Sequence, residues 1–290
     1  MPRRPTRTAE PAAGTGSPRI ERKPLNTGTQ AQNLRSHKKM EYSSEFSRNI
    51  RLTLAYDGTN YHGWQSQPNG VTVEETLKGA AERIVDHRIK IVAGGRTDAG
   101  VHALGQVASF TTSKPIDARS LCRGINSLLP PDIRVKEASD VGPDFHARYS
   151  AKSKVYIYCI LNQRYNSPFL ARYALHVPFS IDTAAMGEAS GLLVGEHDFS
   201  AFKKKDEVYA NPVREVKRAR VATRGHMVFV VVEATGFLRY MVRNIVGTLL
   251  LVGRQKIDKA AFQEILESKQ RENAGPTAPP HGLFLKVIKY

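Results

Sequence analysis

The sequence predicts an α+β fold made of two pseudo-symmetric ferredoxin-like units, each with the order β-α-β-β-α-β. Two observations predict it. Short runs of alternating apolar residues mark strands, and longer stretches with apolar residues three or four apart mark helices. These elements occur twice in the same order. We expect one extended mixed, mainly antiparallel sheet with helices on one side and a central cleft, because binding sites favour the junction between units.

The chain of 290 residues divides by composition into three parts. Residues 1–46 are rich in Pro, Thr, Ser, Gly and Arg and have no apolar period, which predicts a disordered basic N-terminal extension. Three interpretations of it stay open: a native tail, a targeting segment, or a start-site artefact with Met40 as the true start. We expect residues 47–150 to form the N-terminal α/β unit and residues 151–290 the C-terminal α/β unit.

Periodicity and capping define the elements of the N-terminal unit. Residues 50–56, IRLTLAY, alternate as a strand. Thr72, with Glu75 three residues later, forms a capping-box pattern that predicts the start of the first helix. The remaining predicted elements are strands at 89–93, 106–110 and 133–138 and a helix at 117–128.

The C-terminal unit repeats the order of elements without repeating the sequence. A hairpin is predicted to turn at Arg224 and Gly225, because glycine favours tight turns. A helix at 258–268 has no counterpart in the first unit. The other predicted elements are strands at 153–161, 213–222, 226–234 and 283–290 and helices at 182–194 and 238–253.

The charge balance is the first indication of function. The chain carries 43 Lys and Arg against 27 Asp and Glu, a formal net charge of +16. Residues 1–40 contribute nine basic and two acidic side chains, so the remaining 250 residues keep a charge of +9. A folded part that is basic in its own right favours a polyanionic partner, most simply RNA or DNA.

Composition also argues against several classes of protein. No apolar run approaches the length of a bilayer and no apolar signal-peptide core lies near the N-terminus, so we expect a cytoplasmic protein. The two cysteines, Cys122 and Cys159, form no CxxC pair, which excludes a disulfide framework and a cysteine zinc site. Nine histidines include no H-x-x-x-H or H-E-x-x-H pair, so we expect no metal.

Residues 94–106, GGRTDAGVHALGQ, combine four glycines with an arginine, an aspartate and a histidine. Glycine clusters occur where the backbone bends tightly or another group approaches closely. The segment lacks the Lys-Ser/Thr of a P-loop and the G-x-G-x-x-G order of a dinucleotide site. The segment leaves open what an acid, Asp98, does on such a loop, and from the residues alone a local surface ion pair between Asp98 and Arg96 is the simpler interpretation.

Residues 236–247, GFLRYMVRNIVG, contain a second candidate group. On the predicted helix, Arg239 and Arg243 stand one turn apart and share a face. Arginines early in an otherwise apolar helix indicate partial burial, and a buried guanidinium needs an anionic partner. Asp98 is the candidate partner, and a solvated cationic face on an RNA-binding helix is the alternative.

The strand at 153–161 supplies the third candidate group. Tyr156 and Tyr158 lie on the same face of this strand. Aromatic side chains on a sheet beside basic residues can stack on an unpaired base. We expect Tyr158 to be a core residue.

Five sequence blocks, taken in order, resemble the TruA family of tRNA pseudouridine synthases. The resemblance covers about residues 48–290 and leaves only the N-terminal extension outside. It implies the two-unit fold described above, a homodimer, no cofactor or metal, and isomerisation of uridine to pseudouridine at positions 38, 39 and 40 in the anticodon stem-loop of tRNA. The blocks are YDGTNYHGWQSQPN (56–69), GGRTDAGVHALGQVASF (94–110), FHARYSAKSKVYIY (145–158), FLRYMVRNIVGTLLLVG (237–253) and AGPTAPPHGLFLKVIKY (274–290).

The same resemblance implies roles for four residues. Asp98 is the catalytic residue, and Arg96 helps to displace the target base from the stack. Tyr156 contacts the flipped uracil, and Arg243 pairs with the catalytic aspartate. We expect Arg243 to lower the pKa of Asp98 and to orient it.

The chain departs from the family pattern at two positions. Gly94 stands where many members have alanine, and Ile157 stands between the two tyrosines where arginine is common. The second departure weakens any inference about contacts from position 157 and leaves the catalytic residues untouched.

Several alternatives stay open at this point. A non-catalytic RNA-binding protein could use two such sheets, as RRM domains do. A metal-dependent nuclease or glycosidase would need paired carboxylates or a histidine cluster, and neither is evident. The RNA target could be another site. Asp98 could stabilise charge at C1′, attack C1′, or take the C2′ proton.

Overall fold

Ten strands joined into one mixed sheet form the framework of residues 47–290, the part of the chain that this computed structural model describes. Five α-helices accompany the sheet in these residues. The predicted α+β class is confirmed. The N-terminal extension, predicted over residues 1–46, lies outside the described residues.

The first part of the described chain has the predicted order of elements. Thr72 caps the first helix, because its Oγ1 accepts a hydrogen bond from the backbone N–H of Glu75 at 3.3 Å. The strand predicted at 89–93 is shorter than expected, since only two residues pair with β3. The elements are β1 (Arg48–Tyr56), α1 (Val73–Val85), β2 (Val92–Ala93), β3 (His102–Thr112), α2 (Ala118–Leu128) and β4 (Ile133–Val141).

The second part keeps the predicted order and adds two short strands, β6 and β7, that the sequence analysis missed. Each is formed by pairing with one long neighbour, β5 or β8, and its own sequence shows no alternation. The elements are β5 (Ser153–Asn162), β6 (Leu175–Val177), α3 (Thr183–Gly191), β7 (Gly195–Asp198), β8 (Val213–Arg224), β9 (Met227–Ala234), α4 (Met241–Gly253), α5 (Lys259–Ser268) and β10 (Leu283–Lys289).

The hairpin between β8 and β9 turns one residue later than predicted. Arg224 still pairs with Met227, so the two turn residues are Gly225 and His226. Gly225 has a φ of +57°, a conformation that glycine adopts without steric cost. The predicted hairpin itself is confirmed.

The order of strands in the sheet is β4-β1-β3-β10-β5-β9-β8-β7, with β2 on β3 and β6 on β5. Of the strand pairs in the described residues, only β3–β10 and β5–β6 are parallel, so the sheet is mainly antiparallel as predicted. Strand β10 pairs with β3 on one side and β5 on the other. The C-terminal strand therefore joins the two halves and brings the loop before β3 close to β5.

Alternating burial along the strands follows the predicted pattern. Ile50, Leu52 and Leu54 on β1 are fully buried, while the residues between them are partly exposed. Helix α4 is buried on most of its surface and lies in the core. Within residues 47–290, no helix is long and apolar enough to span a bilayer.

Candidate active site

Residues 94–101, the glycine loop, join β2 to β3 and carry Asp98. The residue before the acid is held at two points. The buried Thr97 hydroxyl lies 2.8 Å from the Tyr56 hydroxyl, and the Thr97 carbonyl accepts a hydrogen bond from the Trp64 N–H at 3.0 Å. Because both partners of Thr97 are buried, the backbone that presents Asp98 is held against the core.

Two glycines are required by the geometry of this region. Gly100, in the glycine loop, has a φ of +74°, which side chains rarely tolerate. Gly63, in the block YHGWQ, has a φ of +89°, and a Cβ on it would lie 2.6 Å from the Thr97 carbonyl oxygen. The first two sequence blocks therefore pack against each other, with Gly63 allowing the close approach to Thr97.

Asp98 lies between two arginines from the second half of the chain. Its side chain is 22% exposed, and its Oδ2 lies 3.6 Å from Arg243 Nη1. Its Oδ1 lies 3.7 Å from Arg239 Nε. Both contacts are ion pairs longer than a normal hydrogen bond. Arg96 is exposed and forms no salt bridge within the described residues, so the alternative of a surface pair between Arg96 and Asp98 is wrong.

The two arginines reach Asp98 by a different route from the one predicted. Helix α4 begins at Met241, so Arg239 precedes the helix and the predicted shared helical face is wrong. Tyr240 has a φ of +66° and turns the chain into the helix. The guanidinium carbons of Arg243 and Arg239 lie 4.6 and 5.5 Å from the centre of the Tyr240 ring. This turn brings both arginines to the same acid.

Arg243 is held by the last sequence block as well as by Asp98. Its side chain is 11% exposed, and its Nε donates a hydrogen bond to the Ala278 carbonyl at 2.7 Å. The Ala278 N–H in turn donates to the Arg243 carbonyl at 3.1 Å. The guanidinium therefore spans Ala278 and Asp98.

Burial dominates the electrostatics of Asp98. It raises the pKa of this carboxyl above the ordinary value, although the charges of Arg243 and Arg239 lower it. The negative charge of Glu207 also raises the pKa of Asp98. Arg243 thus lowers the pKa of Asp98 as predicted, while desolvation outweighs the combined effect of the two cations.

Tyr156 lies on β5 and is only 7% exposed. Its ring meets Phe237 edge-on, with centroids 5.0 Å apart. Burial is the main cause that raises the pKa of Tyr156, and the charge of Asp98 adds to it, so the phenol stays neutral near the acid. Tyr158 is fully buried, with its hydroxyl donating to the Pro279 carbonyl at 2.8 Å, which confirms the prediction of a core residue.

Sequence reasoning missed the segment that covers Arg239. The Tyr209 hydroxyl accepts a hydrogen bond from the Arg239 N–H at 2.9 Å, and the Lys204 N–H donates to the Arg239 carbonyl at 2.8 Å. Glu207, between them, has a buried Oε2 with no hydrogen-bond partner within the described residues. The run KKKDE showed only mixed charge, and nothing in it indicated contact with Arg239 or closeness to Asp98.

The site therefore combines one partly buried carboxylate, two guanidinium groups and a neutral phenol. In residues 47–290, no three His, Cys, Asp or Glu side chains stand close enough together to hold a metal ion. The two guanidinium groups can stabilise a negative charge on Asp98 next to a substrate. The exposed side of Arg239 can also bind an anionic group of that substrate.

Comparison with known proteins gives the family. The sequence profile described as tRNA pseudouridine synthase matches residues 53–150 and 189–290. The chain belongs to this family. The chain is an enzyme of the pseudouridine synthase class, and this match together with the relatives described next confirms the resemblance to TruA enzymes.

Relatives named tRNA pseudouridine synthase A align over most of the chain. The protein from Thermoanaerobacter sp. (strain X514) is 45% identical over 243 residues, which cover 84% of this chain and 100% of that protein. The protein from Myxococcus xanthus is 43% identical over 242 residues, which cover 83% of this chain and 91% of that protein. A crystal structure of the archaeal box H/ACA sRNP Nop10-Cbf5 complex has a TM-score of 0.32 and 12% identity, covering 78% of this chain and 60% of that chain.

Proposed function

We propose that the chain isomerises uridine to pseudouridine at positions 38, 39 and 40 of the tRNA anticodon stem-loop. Asp98 is the catalytic residue, and no cofactor takes part. One observation carries the proposal: the acid of the glycine loop lies between Arg243 and Arg239 in a member of the tRNA pseudouridine synthase family. The resemblance of five sequence blocks to TruA enzymes supports the choice of tRNA positions.

The reaction moves one glycosidic bond. The N1–C1′ bond of uridine breaks, the base turns, and C5 bonds to C1′. C5 loses its proton and N1 gains one, so reactant and product are isomers and no oxidant or reductant is consumed. The reaction requires a carboxylate, a pocket for the base and side chains that bind the RNA.

The base has to leave the stack before it can react, which costs a few kcal/mol. Arg96 supports this step because it is exposed and lies two residues from Asp98 on the glycine loop. An exposed guanidinium can enter the space of the displaced base or hold a phosphate beside it. The central cleft between the two units, residues 47–150 and 151–290, is our proposed place for the RNA.

Cleavage of the N1–C1′ bond builds positive character at C1′, as in glycoside hydrolysis. An ionised Asp98 can stabilise this charge, attack C1′, or take the C2′ proton. Arg243 favours the ionised form of Asp98, since its charge lowers the pKa of that carboxyl. Tyr156 holds the detached uracil through a neutral, buried ring. The proposed N-terminal unit thus carries the acid, and the proposed C-terminal unit carries Tyr156 and Arg243.

We also propose that the enzyme is a cytoplasmic homodimer that binds tRNA. The family resemblance supports the dimer and the location. The formal net charge of +16 supports a polyanionic substrate.

The test is substitution of Asp98 by Asn, followed by mapping of pseudouridine in a tRNA transcript. We expect tRNA binding to persist and isomerisation to disappear. Asp86→Asn is the matched control, because Asp86 is 85% exposed and its left-handed backbone suits asparagine. Turnover by Asp98→Asn, or an unmodified transcript with the unaltered enzyme, would contradict the proposal. Loss of modification at other uridines in a deletion strain would contradict the tRNA positions alone.

A further inference from the structure

Lys154 is a partly buried cation beside the glycine loop. It lies two residues before Tyr156 on β5, so both side chains point to the same face of the strand. A Cβ on Gly95 would lie 3.7 Å from Lys154 Cδ and 3.8 Å from Nζ. In the described part of the chain, Lys154 takes part in no salt bridge, whereas several other lysines do. Lys154 therefore points to the reactive loop without an anionic partner.

Its charged neighbours are also cations. Arg214 lies on the same face of the sheet as Lys154, because Lys154 and Val216 both pair with Ala234 and Arg214 precedes Val216 by two residues. Burial lowers the pKa of Lys154, and the positive charges of Arg148 and Arg214 lower it further. Arg214 Nη1 donates to the backbone carbonyls of Asn211 at 2.9 Å and Val213 at 2.6 Å. Within residues 47–290, neither arginine pairs with a carboxylate. We call Lys154, Arg148 and Arg214 the cation cluster.

The opposite face of the same sheet shows a contrasting arrangement. There Glu233 accepts hydrogen bonds from Lys289 Nζ at 2.6 Å, Arg218 Nη2 at 3.0 Å and the Ser153 hydroxyl at 2.9 Å. Cations on that face are neutralised by the protein itself. Within the described residues the cation cluster has no equivalent of Glu233, so its positive charge is available to an anionic ligand.

We propose that the cation cluster binds one backbone phosphate of the RNA next to the target uridine. A phosphodiester supplies one negative charge and two free oxygens, which suit a lysine and two arginines. Gly95 lies three residues before Asp98, and Tyr156 lies two residues after Lys154 on the same strand. A phosphate held here sets the position of the attached sugar relative to Asp98. The inference rests on the proposed function, since it assigns a contact within the same RNA complex.

The salt dependence of tRNA binding tests this inference. Each phosphate contact contributes about 0.7 to 0.9 to the slope of log Kd against log salt concentration. We expect Lys154→Met, which keeps the aliphatic stem, to weaken binding and to lower this slope by about one such contact. Lys154→Arg should retain the slope. Lys152→Met is the matched control, because Lys152 is an exposed lysine two residues earlier. Equal affinity and slope for Lys154→Met and Lys152→Met would overturn the proposal.

Replacement of single phosphates by uncharged methylphosphonates locates the contact. In the unaltered enzyme, we expect one substitution beside the target uridine to weaken binding, and we expect it to cause no further loss in Lys154→Met. If the loss of affinity caused by each methylphosphonate adds to the loss caused by Lys154→Met at every phosphate tested, the inference is wrong. Arg148→Gln, at an exposed position, repeats the measurement if Lys154→Met does not fold.

Inorganic phosphate separates an RNA site from a site for a small anion. If inorganic phosphate binds the cluster tightly and Lys154→Met abolishes that binding without changing tRNA affinity, the ligand is a free anion and the proposal is wrong. These binding measurements do not depend on turnover. A chain that shows the Lys154 effect yet forms no pseudouridine would refute the proposed function and leave the phosphate site intact.

Discussion

Arg243 divides its guanidinium between two partners, with Nη1 at 3.6 Å from Asp98 Oδ2 and Nε donating to the Ala278 carbonyl at 2.7 Å. One side chain thus connects the glycine loop, α4 and the last sequence block. The terminal nitrogen Nη1 faces the acid, while Nε serves the backbone of Ala278. This division determines what substitution of Arg243 is expected to do.

Replacement of Arg243 by Ala should shift the acidic limb of the pH–rate profile to higher pH. Arg243 lowers the pKa of Asp98, so its removal lets burial raise that pKa further, and protonation then inactivates the enzyme at a higher pH. Breaking a buried ion pair typically lowers the free energy of unfolding by about 3–5 kcal/mol. We expect a loss at the lower end of this range, because Asp98 is partly exposed. Single-turnover rates at saturating tRNA give the measurement. An unchanged rate with weaker binding would show that Arg243 only contacts RNA.

Lysine should rescue the Arg243 site poorly. A single ammonium on a flexible stem cannot hold the Ala278 carbonyl and Asp98 in the fixed fork of a guanidinium. We expect the acidic limb of Arg243→Lys to lie closer to that of the unaltered enzyme than the limb of Arg243→Ala does. The single-turnover rate of Arg243→Lys should still be well below that of the unaltered enzyme. Full recovery of the rate would mean that charge alone is needed.

Arg239→Ala should shift the acidic limb in the same direction by less. Arg239 also lowers the pKa of Asp98, but its side chain is 50% exposed and solvent screens its charge. We expect the shift to diminish at high salt, whereas the shift caused by Arg243→Ala persists. Equal salt sensitivity of the two shifts would contradict this difference in screening.

Glu207→Gln should move the acidic limb to lower pH, opposite to both arginine variants. The charge of Glu207 raises the pKa of Asp98, so its removal makes the acid easier to ionise. Glutamine keeps the shape of the side chain and removes the charge from its buried Oε2. The pH–rate profile at constant salt checks the direction. A shift to higher pH would show that Glu207 acts through the position of Tyr209 and Arg239 instead.

Asp98→Asn should not lower the thermal stability of the protein at neutral pH. The pKa of Asp98 is raised in the folded state, so folding favours the protonated carboxyl. This contribution to the free energy of unfolding is present below the unfolded pKa and is lost as the pH rises through the folded pKa. At neutral pH the ionised, partly buried Asp98 therefore lowers the stability of the folded protein. We expect Tm of the variant to equal or exceed that of the unaltered protein at pH 7, with a smaller difference in acid. A clear drop in Tm at pH 7 would mean that the two ion pairs outweigh burial.

Gly63→Ala should destabilise the fold by about 1–3 kcal/mol and reduce activity. Its Cβ would lie 2.6 Å from the Thr97 carbonyl oxygen, and its φ of +89° disfavours any side chain, so the backbone beside Asp98 has to move. Gly142→Ala is the control, since a Cβ there meets no atom within 4 Å. Denaturant unfolding and single-turnover rates measure the two effects. Similar behaviour of the two variants would show that this contact does not position the loop.

Much of the fold could be predicted from local patterns. The alternation of β1, the Thr72 cap and the apolar stripes of the helices depend on neighbours within a few residues, which is the range over which periodicity is read. Strands β6 and β7 could not be predicted in this way, because they exist through pairing with β5 and β8. The start of α4 was missed because Tyr240 adopts a left-handed conformation that its neighbours do not reveal.

The sequence by itself determined the α+β class, the family and Asp98 as the candidate acid. These depend on motifs in a fixed order and on the spacing of apolar residues, and both can be observed without a structure. Only the tertiary structure decided the surroundings of that acid. Arg239, Glu207 and Lys154 reach the glycine loop through strand pairing and loop packing between distant segments. The pKa of Asp98 depends on burial and on distances in space, and no spacing in the sequence measures either of them.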